Sequence, residues 1–119
     1  MEPDAEARER LAAYCGRRGY RAETAADVIS FAALWHARLS FTVMSLSGDR
    51  TDGIDGLRFL SEHECKAGLI LTGGNHARVL SSAARLARAR GLKLLGQLQQ
   101  PYSVADFGAM LLMPVQTPD

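Results

Sequence analysis

The apolar positions of the chain follow a helical period in some stretches and form short continuous runs in others. The pattern predicts helices over residues 3–19, 26–38, 55–65, 76–90 and 103–114, and strands over 20–24, 41–46, 68–72 and 92–99. Strands that alternate with helices of roughly ten to fifteen residues form parallel sheets with right-handed crossovers. The sequence therefore predicts an α/β fold with a mainly parallel sheet. Its functional crevice should lie at the carboxyl ends of the strands, near residues 45–49, 72–75 and 97–101.

Individual residues refine the ends of these helices. Pro3 suits the first turn of the first helix, and Gly19 suits its end because a left-handed cap costs glycine little. Asp55 is predicted to cap the third helix. Ser103 and Asp106 form a capping-box pattern at the start of the last one.

Length and composition are those of one globular domain. The chain has 119 residues, which predicts a single domain over residues 1–119 with a short tail from Pro114 to Asp119. An apolar fraction of 47% and a charged fraction of 23% exclude a disordered chain. No stretch is apolar over the roughly 20 residues that span a bilayer, so no membrane partner is expected. Two cysteines, Cys15 and Cys65, form no disulfide framework and favour a cytoplasmic location.

Charge is unevenly distributed along the chain. Residues 66–100 carry six basic side chains and no acidic one, whereas residues 1–65 carry eight basic and eleven acidic ones. On the fourth helix an apolar stripe that includes Val79 is predicted to face the core, with the arginines facing outward. A region of one sign can steer an acidic partner. A net charge of +1 and the scarcity of aromatic residues among the arginines argue against a nucleic-acid partner.

Common catalytic and cofactor motifs are absent from the sequence, including GxGxxG, Walker A, GxSxG and CxxC. Asp49, Asp52 and Asp55 are evenly spaced, but the twelfth residue counted from Asp49 is Leu60, where an EF-hand needs a glutamate. We interpret these aspartates as turn and cap residues. The GG pair at 73–74 before a helix could bind an anion through backbone N–H groups, which leaves a small-ligand site as a further possibility.

Several short segments, in order, resemble those of a response-regulator receiver domain. They are EPD at residues 2–4, IDGL at 54–57, LTG at 71–73 and LGQLQQPY at 95–102. The ARARGL segment at 87–92 is similar to receivers attached to cyclic-di-GMP phosphodiesterase (EAL) domains. The resemblance covers nearly the whole chain, and it implies a flavodoxin-like three-layer sandwich with a signalling role, and not an enzyme.

The same resemblance implies a degenerate phosphoacceptor pocket. In that family an aspartate accepts a phosphoryl group with the help of Mg²⁺, a hydroxyl and a lysine. Counting forward from Arg38 puts Ser45 at the acceptor position, whereas counting backward from the IDGL segment puts Asp49 there. Thr72 matches the hydroxyl. Gln100 stands where the lysine is expected, and its neutral amide cannot act as an ammonium.

The family's first strand and its acidic pair are expected to be missing, because Met1 stands directly before the EPD segment. Three arrangements would account for the sheet. The strand over 20–24 pairs directly with 41–46, a second copy or a partner donates a strand, or Met1 is a truncation point. The first two together predict an oligomer, such as a homodimer.

We therefore expect a stand-alone, receiver-like signalling module that acts by protein–protein contact without a cofactor. Its working surface should be the fourth helix, the last strand and the last helix, where Arg78, Arg85, Arg88 and Lys93 would face an acidic partner or the acidic half of a second copy. The alternative is a working phosphoreceiver that uses Asp49 and Mg²⁺.

Overall fold

The computed structural model describes residues 1–46, 50–74 and 77–112. Its helices are α1 (Ala5–Arg17), α2 (Val28–Leu34), α3 (Arg50–Glu62), α4 (Ala77–Ala89) and α5 (Val104–Met110). Its strands are β1 (Phe41–Ser45), β2 (Gly68–Gly73) and β3 (Lys93–Gln99). None of the described helices is long and apolar enough to cross a membrane.

Strand β2 lies in the middle of a parallel sheet of order β1-β2-β3. Its residues Leu69, Ile70 and Leu71 have no exposed surface. A parallel strand covered on both faces is a continuous apolar run, and the GLILTG sequence of β2 is such a run. The register pairs Ser45 with Thr72, so the carboxyl ends of β1 and β2 lie side by side.

Two helical layers enclose the sheet. Helices α1 and α5 cover one face, where Leu11 and Phe107 pack against the apolar side chains of β2 and β3. Helices α2, α3 and α4 cover the other, where Phe31, Leu60 and Leu80 belong to a larger apolar cluster. The predicted α/β sandwich with a parallel sheet is confirmed.

The first two residues continue the sheet beyond β1. The Met1 C=O accepts a hydrogen bond from the Ser45 N–H at 3.0 Å, and the Met1 amino group donates to the Val43 C=O. On the opposite side, the Glu2 N–H donates to the Ala25 C=O at 2.9 Å. Met1 and Glu2 thus lie between β1 and the segment that ends at Ala25.

The strand predicted over residues 20–24 is absent from the structure, and its predicted direct pairing with β1 is wrong. The backbone groups of Met1 and Glu2 occupy the hydrogen-bonding positions near Ser45 and Ala25 that direct pairing would need. Residues 20–24 are exposed and hold only one large apolar side chain, Tyr20, whose ring packs edge-on against Phe41 at a centroid distance of 5.5 Å.

Three predictions about the helices also need correction. Helix α2 is shorter than predicted because Trp35 adopts extended backbone angles, with ψ of 140°. Helix α3 begins at Arg50, so Asp55 lies inside the helix instead of capping it. Val79 is 49% exposed, because the buried stripe of α4 consists of Leu80, Ala83, Ala84 and Ala87. The capping box of α5, formed by Ser103 and Asp106, is confirmed.

The Met1 amino group should titrate at an unusually low pH. Burial lowers its pKa from 8.0 to about 6, and the charge of the Glu2 carboxylate opposes this shift. The Glu2→Gln variant should therefore have a still lower amino pKa, measured by NMR titration of ¹⁵N-labelled Met1. Glu6→Gln, on the exposed first turn of α1, is the matched control and should leave the amino pKa unchanged.

Stability should follow the same titration. The amino group binds its proton more readily in the unfolded chain, so its contribution to the free energy of unfolding should fall as the pH is lowered from 8 toward 6. An amino pKa near 8 in the folded chain, or equal values in the two variants, would contradict this placement of Met1.

Candidate functional site

The carboxyl ends of β1 and β2 bring two of the predicted pocket residues together. Ser45 and Thr72 are register partners, and neither has exposed surface. Beyond Ser45, the Leu46 N–H donates to the Thr72 C=O at 2.8 Å, which holds the two strand ends in contact. The two hydroxyls therefore lie next to each other at the edge of the sheet where the crevice was predicted.

Glu2 supplies a carboxylate that the sequence reasoning treated only as part of a motif. The residue is 3% exposed, and its Oε2 accepts a hydrogen bond from the Asp4 N–H at 3.1 Å. The Ser45 hydroxyl lies close enough to this carboxylate to lower its pKa. The Oε1 atom has no hydrogen-bond partner within the described part of the chain. Burial raises the pKa of the Glu2 carboxyl, while the Asp4 N–H and the Met1 ammonium lower it.

A sequence signal for this role existed. Glu2 is a charged residue directly before the proline that opens the first helix, at the point where the chain leaves the edge of the sheet. A side chain at that junction lies beside the carboxyl ends of the strands, and in this protein the last residue of β1 is Ser45.

Tyr102 and Thr72 complete the polar lining of the pocket. Burial, and then the charge of Glu2, raise the pKa of the Tyr102 phenol, while the nearby Thr72 hydroxyl lowers it. The Thr72 Oγ1 is nevertheless buried without a well-oriented hydrogen-bond partner among the residues that the structure describes. Tyr102 is half-buried and remains a protonated donor at neutral pH, since its pKa is shifted upward.

Gln100 lies directly after β3, next to the end of β2. Its backbone N–H donates to the Gly73 C=O at 2.7 Å, and its peptide bond to Pro101 is cis. The side chain is a half-buried neutral amide. Asp49, the alternative phosphoacceptor, lies outside the described residues.

The described pocket residues do not fit a Mg²⁺-dependent phosphoacceptor. In residues 1–46, 50–74 and 77–112, no group of three or more His, Cys, Asp or Glu side chains is arranged to hold a metal. Mg²⁺ is usually held by ionised carboxylates together with phosphate oxygens. Glu2 is a single carboxylate whose raised pKa disfavours the ionised form. Its Oε2 atom is already hydrogen-bonded to the Asp4 N–H, and the Gln100 amide brings no positive charge.

A second candidate surface is formed by α4, β3 and α5. A cavity of about 330 Å³ opens there, and Arg85 and Arg88 of α4 line it together with Gln97 of β3 and Met110 of α5. Arg78 and Lys93 are exposed but do not line this cavity. Of the four basic residues predicted for this surface, the structure therefore brings two together.

Local packing explains how the two arginines come to face the cavity. The small side chains of α4, Ala83, Ala84 and Ala87, are buried against the sheet, so the residues between them point outward. On β3, Gly96 leaves room for the Met110 side chain, because a Cβ at this position would collide with the Met110 sulfur. Helix α5 can therefore approach β3 closely at the edge of the cavity.

Comparison with known proteins gives likenesses of structure alone. No protein-family model and no curated protein matches the sequence. A response regulator from Colwellia psychrerythraea has a TM-score of 0.81 at 26% identity, over 93% of this chain and 89% of that chain. The receiver domain of NtrX from Brucella abortus has a TM-score of 0.72 at 19% identity, over 93% of this chain and 94% of that chain.

A third structure extends the agreement. A response regulator receiver protein from Burkholderia phymatum has a TM-score of 0.69 at 17% identity, over 97% of this chain and 94% of that chain. The order of helices around the parallel β1-β2-β3 sheet matches the flavodoxin-like arrangement of these neighbours. The chain thus has the fold of response-regulator receiver domains, a fold that supports a role as a signalling module.

Proposed function

We propose that the chain is an atypical receiver-like signalling module that acts by protein–protein contact and does not depend on phosphorylation of an aspartate. The observation that carries this proposal is the pocket at the strand ends. There the Ser45 hydroxyl, near the Glu2 carboxylate, and the neutral Gln100 amide stand where the resemblance expects an acceptor and a lysine.

Electrostatics supports this assignment. A phosphoryl group carries roughly two negative charges. At the end of β1 it would lie beside the buried carboxylate of Glu2, and the raised pKa of that carboxyl shows that its surroundings already disfavour negative charge. Catalysis of phosphoryl transfer relies on positive charge that offsets the charge of the transferring group. The Gln100 amide does not supply it.

The contact surface that we favour is the face of α4, β3 and α5. Arg85 and Arg88 flank its cavity, and a guanidinium presents several donors in a geometry that suits carboxylates. Gln97 adds amide hydrogen-bonding groups, and Met110 adds an adaptable apolar contact. The partner is therefore a protein with an acidic surface, whose charges set the orientation and rate of docking.

The pocket proposal predicts that a small phosphodonor does not label the chain. After incubation with acetyl phosphate and Mg²⁺, intact-mass spectrometry should show no added phosphoryl group, because the described pocket holds neither a ready metal site nor a lysine. Labelling that is lost in Asp49→Asn and kept in Asp55→Asn would instead support the alternative, a working phosphoreceiver that uses Asp49.

The surface proposal predicts that charge reversal at the cavity abolishes partner binding. Immobilised chain and its Arg85→Glu/Arg88→Glu variant would be exposed to extract of the native cells, and retained proteins would be quantified by mass spectrometry. The unmodified chain should retain an acidic protein. The amount retained by the variant should be lower by about tenfold or more, because two cations become anions at the contact.

A matched control separates this effect from general charge. Arg58→Glu/Lys66→Glu makes the same charge change at exposed residues away from the cavity, and it should retain the acidic protein. Equal retention by all three chains would contradict the assignment. If the acidic partner is a second copy of the chain, the unmodified chain and the control variant should sediment as dimers. Only the Arg85→Glu/Arg88→Glu variant should then be a monomer.

A further inference from the structure

The cavity between α4, β3 and α5 is lined by hydrogen-bond donors from two elements. Ser81, Arg85 and Arg88 line it from α4, where a spacing of four and then three residues puts them on one face of the helix. Gln97 adds its side-chain amide from β3. None of the described residues that line the cavity is acidic. We call it the basic cavity.

A bulge in β3 turns Gln97 toward these arginines. The pairing of β2 with β3 skips Leu95, so β3 contains one extra residue at this point. As a result Leu95 and Gly96 both face α5, since Leu95 belongs to the apolar cluster on that side and a Cβ on Gly96 would collide with the sulfur of Met110. Leu98 belongs to the same cluster, so Gln97 faces α4. With strict alternation from Leu95 onward, Gln97 would face α5 instead.

The basic cavity also has an apolar part beside the donors. Leu95 is buried there, and Met110 is half-buried and has a flexible side chain that adapts to irregular shapes. The volume of about 330 Å³ lies at the lower end of the roughly 300–1,000 Å³ of small-molecule sites. The cavity therefore suits a small molecule that has an anionic group and a compact apolar body.

The number of donors favours a phosphate group over a carboxylate. Each guanidinium presents several N–H donors, and the Ser81 hydroxyl and the Gln97 amide add more. A carboxylate has two oxygens to accept them, whereas a phosphate monoester has three terminal oxygens and a charge of roughly −1.5 to −2 at pH 7. Arg85 and Arg88 together bring the positive charge that balances such a group.

We propose that the basic cavity binds a small phosphate monoester with a compact apolar body. Arg85 and Arg88 hold the phosphate oxygens through charge-assisted hydrogen bonds. Gln97 donates from the other side, and the body packs against Leu95 and Met110. The bound phosphate occupies the arginines to which an acidic protein would dock, so it competes with that protein. This competition rests on the proposed function, whereas the binding itself does not.

The test uses 1-naphthyl phosphate as the probe, with 1-naphthol and inorganic phosphate as its two separate parts. Binding to the purified chain would be followed by NMR, with the side-chain amide of Gln97 as the specific readout. We expect saturable shifts at Gln97 with the probe, and an affinity for each part that is lower by about tenfold or more, because each part lacks contacts that the whole probe makes. Absence of saturable binding, or binding of either part as tight as that of the probe, would overturn the proposal.

Two glutamines of β3 provide a matched pair of variants. Gln97 and Gln99 are both exposed, and of the two Gln97 lines the basic cavity. Gln97→Glu should weaken binding of 1-naphthyl phosphate by about tenfold or more, because it places a carboxylate beside the phosphate. Gln99→Glu makes the same change in net charge, and at physiological salt, which screens more distant charges, it should change the affinity by about twofold at most.

Equal affinities in the two glutamate variants would place the probe outside the basic cavity and overturn the proposal. The purified chain contains no protein partner, so failure of the proposed protein contact does not change these outcomes. Conversely, a chain that binds no probe can still retain an acidic protein through Arg85 and Arg88.

Discussion

Burial of β2 on both faces is the constraint on which the rest of the structure depends. Leu69, Ile70 and Leu71 are fully buried, which requires one helical layer on each side of the sheet and a paired strand at each edge of β2. Parallel pairing then brings the carboxyl ends of the strands together. The polar pocket of Ser45 and Thr72 is a direct consequence of that register.

The chemistry of the pocket follows from which side chains the strand ends carry. A site for metal-assisted phosphoryl transfer concentrates negative ligands around a cation and places a positive charge beside them. The described pocket has hydroxyls, a phenol and an amide around the single carboxylate of Glu2, whose pKa is raised by burial. This is why we propose signalling through a surface contact, for which the cavity beside Arg85 is the candidate site.

The sequence alone predicts the elements that depend on neighbouring residues in the chain. The apolar runs predicted β1, β2 and β3 to within one residue at each end, and Ser103 with Asp106 predicted the start of α5. The strand over 20–24 was wrong because a short polar segment forms a strand only where a neighbour offers free backbone groups. The burial of Glu2 was missed because it depends on a distant contact. It arises where Met1 meets Val43, and these residues are far apart in the chain.

The most direct test of the central claim is an NMR titration of the chain with beryllofluoride and Mg²⁺, which together mimic a phosphorylated aspartate and its metal. The backbone amides of Thr72, Gly73 and Gln100 report on the pocket, because they lie at the ends of β2 and β3. The pocket described above predicts no saturable shift at these amides. Saturable shifts that require both components would show that the pocket still accepts a phosphoryl group, and would contradict it.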